Sequence, residues 1–129
     1  MSDPITSLGP RQHAALFAWI AREVMQRAGE EGEALIRAGV RRYGEERGRR
    51  MALRAWVARR PLDMTHYLAY GEWRAAPGES VRRLLQEAPD AHMEIVRCPW
   101  HACWQALGLT TLGMLYCEEI DLALVRGFN

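Results

Sequence analysis

The 129 residues carry 17 basic and 16 acidic side chains, a formal net charge of +1 and a hydrophobic content of 49%. That length suits a single domain, residues 1–129, with a core that needs no disulfide staples. The balanced charge argues against nucleic acid and anionic membranes as partners. All 17 cations are arginine, the mark of GC-rich coding, so mechanisms that need a lysine amine are excluded.

No apolar run approaches the roughly 20 residues of a membrane span. Three cysteines, Cys98, Cys103 and Cys117, cannot all pair within one chain, and no charged-then-apolar leader opens the sequence. The expectation is a reduced, cytoplasmic protein.

In chain order, "MSDPITSLGP" reads as an irregular lead-in bounded by turn formers. From Arg11 to Ala28, Leu16, Trp19, Ile20, Val24 and Met25 recur at helical steps, and Gly29 and Gly32 interrupt the pattern. A second, longer helix follows with Leu35, Ile36, Val40, Tyr43, Met51 and Leu53 as its apolar positions. Gly39, Gly44 and Gly48 lie inside it. Each costs about 1 kcal/mol relative to alanine, and repeated helix glycines point to close approach of another backbone. Pro61 ends this helical part, residues 10–60. "LDMTHYLAYGEW" suggests a short helix closed by Gly71, and Trp19, Trp56 and Trp73 read as core or lid aromatics.

Beyond the "AAPG" turn the periodicity changes. "SVRRLLQEAPDAHMEIVRCPW" fits a β-hairpin looped at "APDA", its second strand running into Cys98. Pro99 then suits the first turn of a helix that Gly108 stops. Thr110 or Thr111 would cap a last helix through "LGMLYCEEIDLALV". Helices, then a small antiparallel sheet, then further helices over residues 79–129 make the expected fold class α+β.

The chemistry concentrates in "RCPWHACW", residues 97–104. Three roles fit it. Cys98, His101, Cys103 and Cys117 are soft or borderline ligands suited to zinc or an iron–sulfur cluster, although Cys103 falls badly for a site shared with His101 on one helix. Alternatively, Cys98 sits between a strand and a helix N-terminus, where unpaired amides favour a thiolate, with His101 a turn away. Glu118, Glu119 and Asp121 would then orient an imidazole or position water. Core packing is the third role, since free cysteine is among the most buried residue types. His13, His66 and His92 stand alone and read as surface or hydrogen-bonded groups. "RRYGEERGRR" reads as a solvated helix face or as a clamp for a carboxylate.

"YGEERGRRMA", "VRCPWHACWQALGLTTLGMLYCEEID" and the terminal "RGFN" together resemble the L-2-amino-thiazoline-4-carboxylic acid hydrolase family. The positions that carry the resemblance are Arg47 and Gly48, Cys98 and Pro99, Leu107 and Gly108, Leu112 and Gly113, Cys117 and Asp121, and Gly127 to Asn129. It implies hydrolytic opening of a small cyclic amidine or amide that bears a carboxylate. Cys98, Cys117, Asp121 and Glu118 are then the catalytic candidates, and Arg47 and His101 the substrate-binding ones. Cys103 falls outside the family pattern and moves towards packing. No cofactor is specified.

Members of that family continue past Gly-Phe-Asn into further strands. The accompanying expectation is a chain lacking a C-terminal hairpin, its sheet completed by a homo-oligomer or a partner chain. A non-catalytic binding or assembly module of the same fold is the rival to the hydrolase, and a Cys/His metal or iron–sulfur protein the third reading.

Overall fold

The computed structural model describes residues 4–72, 78, 80–86 and 89–129, with side chains from residue 9 onward. Helix α1 (Pro4–Val57) leads to a short α2 (Met64–Ala69), then to a hairpin of β1 (Val81–Gln86) and β2 (His92–Arg97). Helices α3 (Pro99–Leu107) and α4 (Thr110–Phe128) follow. The fold is α+β, mostly helical with one antiparallel pair of strands.

Helix α1 is not one rod. Gly9 (φ 35°, ψ −163°) and Gly29 (φ 54°, ψ −130°) leave helical geometry, at angles that L side chains avoid. Residues 4–8, expected to be irregular, are helical, and Pro10 opens the next arm with a fixed φ suited to a first turn. The bend at Gly29 folds the arm 30–57 back beside the arm 10–28. A methyl built on Gly32 would lie 2.8 Å from the Val24 carbonyl oxygen, whereas a straight helix would hold residues eight apart at about 12 Å.

The second arm ends where Arg59 turns left-handed (φ 56°). The Arg60 N–H donates to Ala55 O and the Arg59 N–H to Trp56 O, both at 2.9 Å. That is a Schellman termination, with Pro61 preventing any resumption. Gly108 (φ 70°) closes α3 in the same way through Leu109 N–H to Trp104 O at 2.8 Å. Asp63 caps α2 by accepting from the His66 N–H at 3.0 Å. Helix α4 differs from expectation: its N-cap is Leu109, no side chain caps it, and Thr110 and Thr111 lie inside the helix.

The glycines of the second arm serve packing. A methyl on Gly44 would lie 2.6 Å from Ala123 Cβ, one on Gly48 would run into Leu124 O, and one on Gly127 into Glu45 O. Small residues on both sides thus bring α1 and α4 backbone to backbone. The arrangement also sets two roles for the terminal Gly127–Phe128–Asn129. Phe128 is buried with Met51 and Ala55 and meets Tyr67 edge-on at 5.6 Å, and Asn129 Nδ2 donates to Leu62 O at 2.8 Å.

The first arm corrects the sequence reading. Its buried face is Ala14, Ala18 and Ala21, while Leu16, Trp19 (48% exposed) and Ile20 stay exposed. The cause is Trp104, fully buried against Ala14 and Ala18, with its Nε1 donating to Ala14 O at 2.8 Å. An indole that large leaves room only for methyl groups opposite. Gly113 belongs to the same fit, since a methyl there would overlap the Trp104 ring. Trp56 is 71% exposed rather than core, and Trp73 lies outside the described residues.

The hairpin forms in the expected place, with Arg82 opposite Ile95 and Leu84 opposite Met93. Neither strand buries a face: every residue of both is exposed, including Val81, Leu84, Leu85, Ile95 and Val96.

Candidate functional site

Strand β2 delivers the chain to Cys98, which is the N-cap of α3 with extended backbone (φ −126°, ψ 121°). Its carbonyl accepts the Ala102 N–H at 3.0 Å, but no side chain makes a capping bond. The half-buried thiol therefore stands where the unpaired amides and dipole of a helix N-terminus favour negative charge. Pro99 at the first position is buried and fixes this turn.

Helix α4 supplies the remaining groups. Cys117 and Asp121 are four residues apart and share a face. Burial pushes the Cys117 thiol up to about 11, helped by the nearby Cys98, Asp121 and Glu118 charges. Asp121 is partly open to solvent, yet protein crowding its carboxyl raises its pKa, and the charge of Arg82 on β1 opposes that rise. Tyr116 is raised by burial, with Tyr43, Cys117, Asp121 and Cys98 adding to the effect. Tyr67 is also raised by burial and feels Asp121. Cys98, Tyr116, Cys117 and Asp121 are thus one electrostatic neighbourhood, reached by α1, α2, α3, α4 and the hairpin.

The other sequence candidates lie in different settings. Glu118 pairs with Arg37 at 2.8 Å, and Glu119 with Arg37 at 3.3 Å and Arg41 at 3.1 Å. Arg41 chiefly, with Arg37 adding, holds the Glu119 carboxyl below its usual range against the opposing effect of burial. Arg47 is engaged by Glu72, which Arg54 also meets at 2.9 Å. His101 is half-buried on α3, one turn after Cys98. Cys103 packs against the Trp104 core, and its Sγ donates to Arg11 O at 3.4 Å, in keeping with a packing role. His66 is a hydrogen-bonded group, its Nδ1 meeting Asp63 Oδ1 at 2.6 Å. Among the described residues no group of three or more His, Cys, Asp and Glu side chains is placed to hold a metal ion, so the metal reading finds no ligand set there.

A chamber of about 620 Å3 opens beside this neighbourhood, between the two arms of α1. Ile20 and Val24 face Ile36 and Val40 across it, and Trp100 and Tyr116 close one side. Those two rings stack at 4.5 Å between centroids with 19° between planes. Trp100 Nε1 is buried with no acceptor among the described residues. Sequence reasoning missed the chamber and with it Tyr43, Tyr116 and Trp100. The available signal was that Trp100 and Tyr116 each lie within two residues of a family-motif cysteine.

Fold and site together define a small α+β protein with a half-buried thiol at a helix N-terminus, a second half-buried thiol and an exposed carboxyl in its electrostatic neighbourhood, and an apolar chamber alongside. The chain belongs to the L-2-amino-thiazoline-4-carboxylic acid hydrolase family, whose model matches residues 10–129. No curated protein and no solved structure matches it. No helix of the described residues is long and apolar enough to cross a membrane.

Proposed function

We propose that the protein is a cytoplasmic hydrolase that opens a small cyclic amidine or amide bearing a carboxylate. The observation that carries this is the placing of Cys98 at the α3 N-terminus within the electrostatic neighbourhood of Cys117 and Asp121. Cys98 is the nucleophile. Cys117, whose pKa is near 11, stays a neutral thiol at neutral pH and serves as a hydrogen-bond donor.

In the amidine case the Cys98 thiolate adds to the C=N carbon, and the π pair moves to the ring nitrogen. That nitrogen takes its proton from Asp121 acting as the general acid, its pKa raised above the ordinary carboxylate value. Collapse is driven by the lone pair of the other amidine nitrogen, which forms the new C=N bond. That nitrogen passes its proton to the departing ring nitrogen, so that it leaves as an amine and the carbon stays on sulfur. Water then adds to that carbon, giving one proton to the remaining nitrogen and the other to Asp121. Release of the Cys98 thiolate completes a net addition of one water. The substrate carboxylate meets an arginine: Arg82 acts on Asp121, and Arg47 is available by exchange with Glu72. Glu118, held by Arg37, and His101, one turn from Cys98, orient the approach.

The test is hydrolysis of 2-aminothiazoline-4-carboxylate, and of cyclic amides of similar size, by Cys98→Ser and Cys117→Ser variants. The expected result is loss of turnover in Cys98→Ser with an unchanged circular dichroism spectrum, and partial activity in Cys117→Ser. Full activity in Cys98→Ser removes it from the mechanism.

The uncovered hairpin favours a second reading, a binding or assembly module whose strands are covered by another copy or a partner chain. An isolated two-stranded sheet is marginal in water, and both faces here carry exposed apolar residues. A monomer by light scattering, with no turnover on any of these compounds, would leave neither reading standing.

A further inference from the structure

The chamber between the arms of α1 has features that packing does not account for. Gly39 lies in the middle of the second arm at helical angles, and a methyl built there meets nothing within 4 Å. Unlike Gly44 and Gly48, it admits no neighbouring backbone, yet it carries the same helix penalty. Its effect is to keep the chamber wide. The wall opposite is apolar apart from His13, and among the described residues that line the chamber none is Arg, Asp or Glu, in a chain that is 26% charged. One side ends in the stacked Trp100–Tyr116 pair, with Phe17 edge-on to Tyr116 at 5.6 Å.

We propose that this chamber is a binding site for a neutral aromatic small molecule. A lining without arginine gives an amino-acid zwitterion or a free carboxylate no guanidinium to pair with, so either would lose hydration for little return. Aromatic rings favour further offset or edge-on ring contacts. A volume of about 620 Å3 lies within the roughly 300–1,000 Å3 of small-molecule pockets. The proposal stands on the cavity alone and does not depend on hydrolysis at Cys98.

The test is fluorescence titration with 6-propionyl-2-(dimethylamino)naphthalene, a neutral ring bearing a carbonyl, whose emission moves to the blue in apolar surroundings. The wild-type chain is expected to bind one probe per chain, saturably. Gly39→Leu fills open space at a helix-compatible position, so it should fold normally and bind at least tenfold more weakly. Ile20→Trp, from the opposite arm, should do the same by an independent route. Ile95→Ser, on the exposed hairpin, should change binding by less than twofold. The proposal is overturned by non-saturable binding, by unchanged affinity in both chamber variants, or by loss of binding in Ile95→Ser. It is equally overturned if light scattering shows a dimer that Gly39→Leu dissociates, because the chamber would then seat a second copy.

Discussion

Replacing Gly48 with alanine sets two opposed effects against each other at the α1–α4 crossing. On an exposed helix the change gains about 1 kcal/mol, because glycine gives up more backbone freedom on folding. At Gly48 the new methyl would lie 2.8 Å from Phe128 N and 2.9 Å from Gly127 C, and closer still to Leu124 O. These are backbone atoms, so no rotamer change relieves them. Carbon contacts are most favourable near 3.5–4.0 Å, so α4 must retreat by roughly 1 Å, and gaps of that size forfeit a quarter to a half of each dispersion contact. The cluster of Met51, Ala55 and Phe128 depends on this approach. With about 2–3 kcal/mol for burying each large side chain, losing a third or more of that, plus residual overlap, outweighs the propensity gain. The expected net loss is about 2 kcal/mol. Gly39→Ala, in open space, keeps the gain. In thermal melts followed by circular dichroism, Gly48→Ala should fall by about 6–10 °C and Gly39→Ala rise by about 3–5 °C. If Gly48→Ala is stabilised as much as Gly39→Ala, the close crossing is wrong.

Four further outcomes can be checked. Trp104→Phe removes the second donor to Ala14 O and opens a cavity against Ala14 and Ala18, and urea titration should show a loss of about 2–4 kcal/mol. Arg59→Gly relieves the left-handed C′ position at the end of α1 and should gain about 0.5–1 kcal/mol in the same titration. The Cys117 thiol, raised by burial to about 11, should alkylate slowly below that pH, with site-resolved mass spectrometry showing Cys98 modified first. Its stabilising effect is fully present below the ordinary thiol pKa near 9 and is lost as pH rises through 11. Asp121, raised chiefly by burial against the opposing pull of Arg82, is least stabilising once ionised, so Asp121→Asn should raise the melting temperature at pH 7. A drop there would mean that the ionised carboxylate holds the fold.

Features governed by adjacent residues were legible in the sequence. Gly29 breaks α1 because it adopts φ 54°, Gly108 closes α3 at φ 70°, and the strands fall on either side of "APDA". The glycines of "YGEERG" also announced a close approach, since nothing local repays their helix penalty. The first arm misled because periodicity marks an apolar face without saying what covers it. Trp104, ninety residues away, takes the alanine face, which leaves Leu16 and Trp19 outside. Thr110 looked like a cap because threonine favours caps, but the αL turn at Gly108 starts α4 one residue earlier and satisfies the chain through backbone bonds. Cys98 was legible as a strand-to-helix cysteine, and Cys117 with Asp121 as an i, i+4 pair. Their approach was not, since it depends on how closely α4 lies against α1.

Two glycine functions in one helix separate two parts of the molecule. Gly44 and Gly48 bring the second arm against Ala123, Leu124 and Phe128, which anchors the half of α4 next to Cys117 and Asp121. Gly29 turns the first arm back so that Ala14 and Ala18 reach Trp104, and Trp104 sits on α3 one and a half turns after Cys98. The same bend that orders the thiol-bearing helices therefore also spreads Ile20 and Val24 away from Ile36 and Val40 and makes the chamber. Straightening residue 29 would remove chamber and site together, whereas filling position 39 removes only the chamber. That asymmetry is what allows binding and hydrolysis to be tested apart.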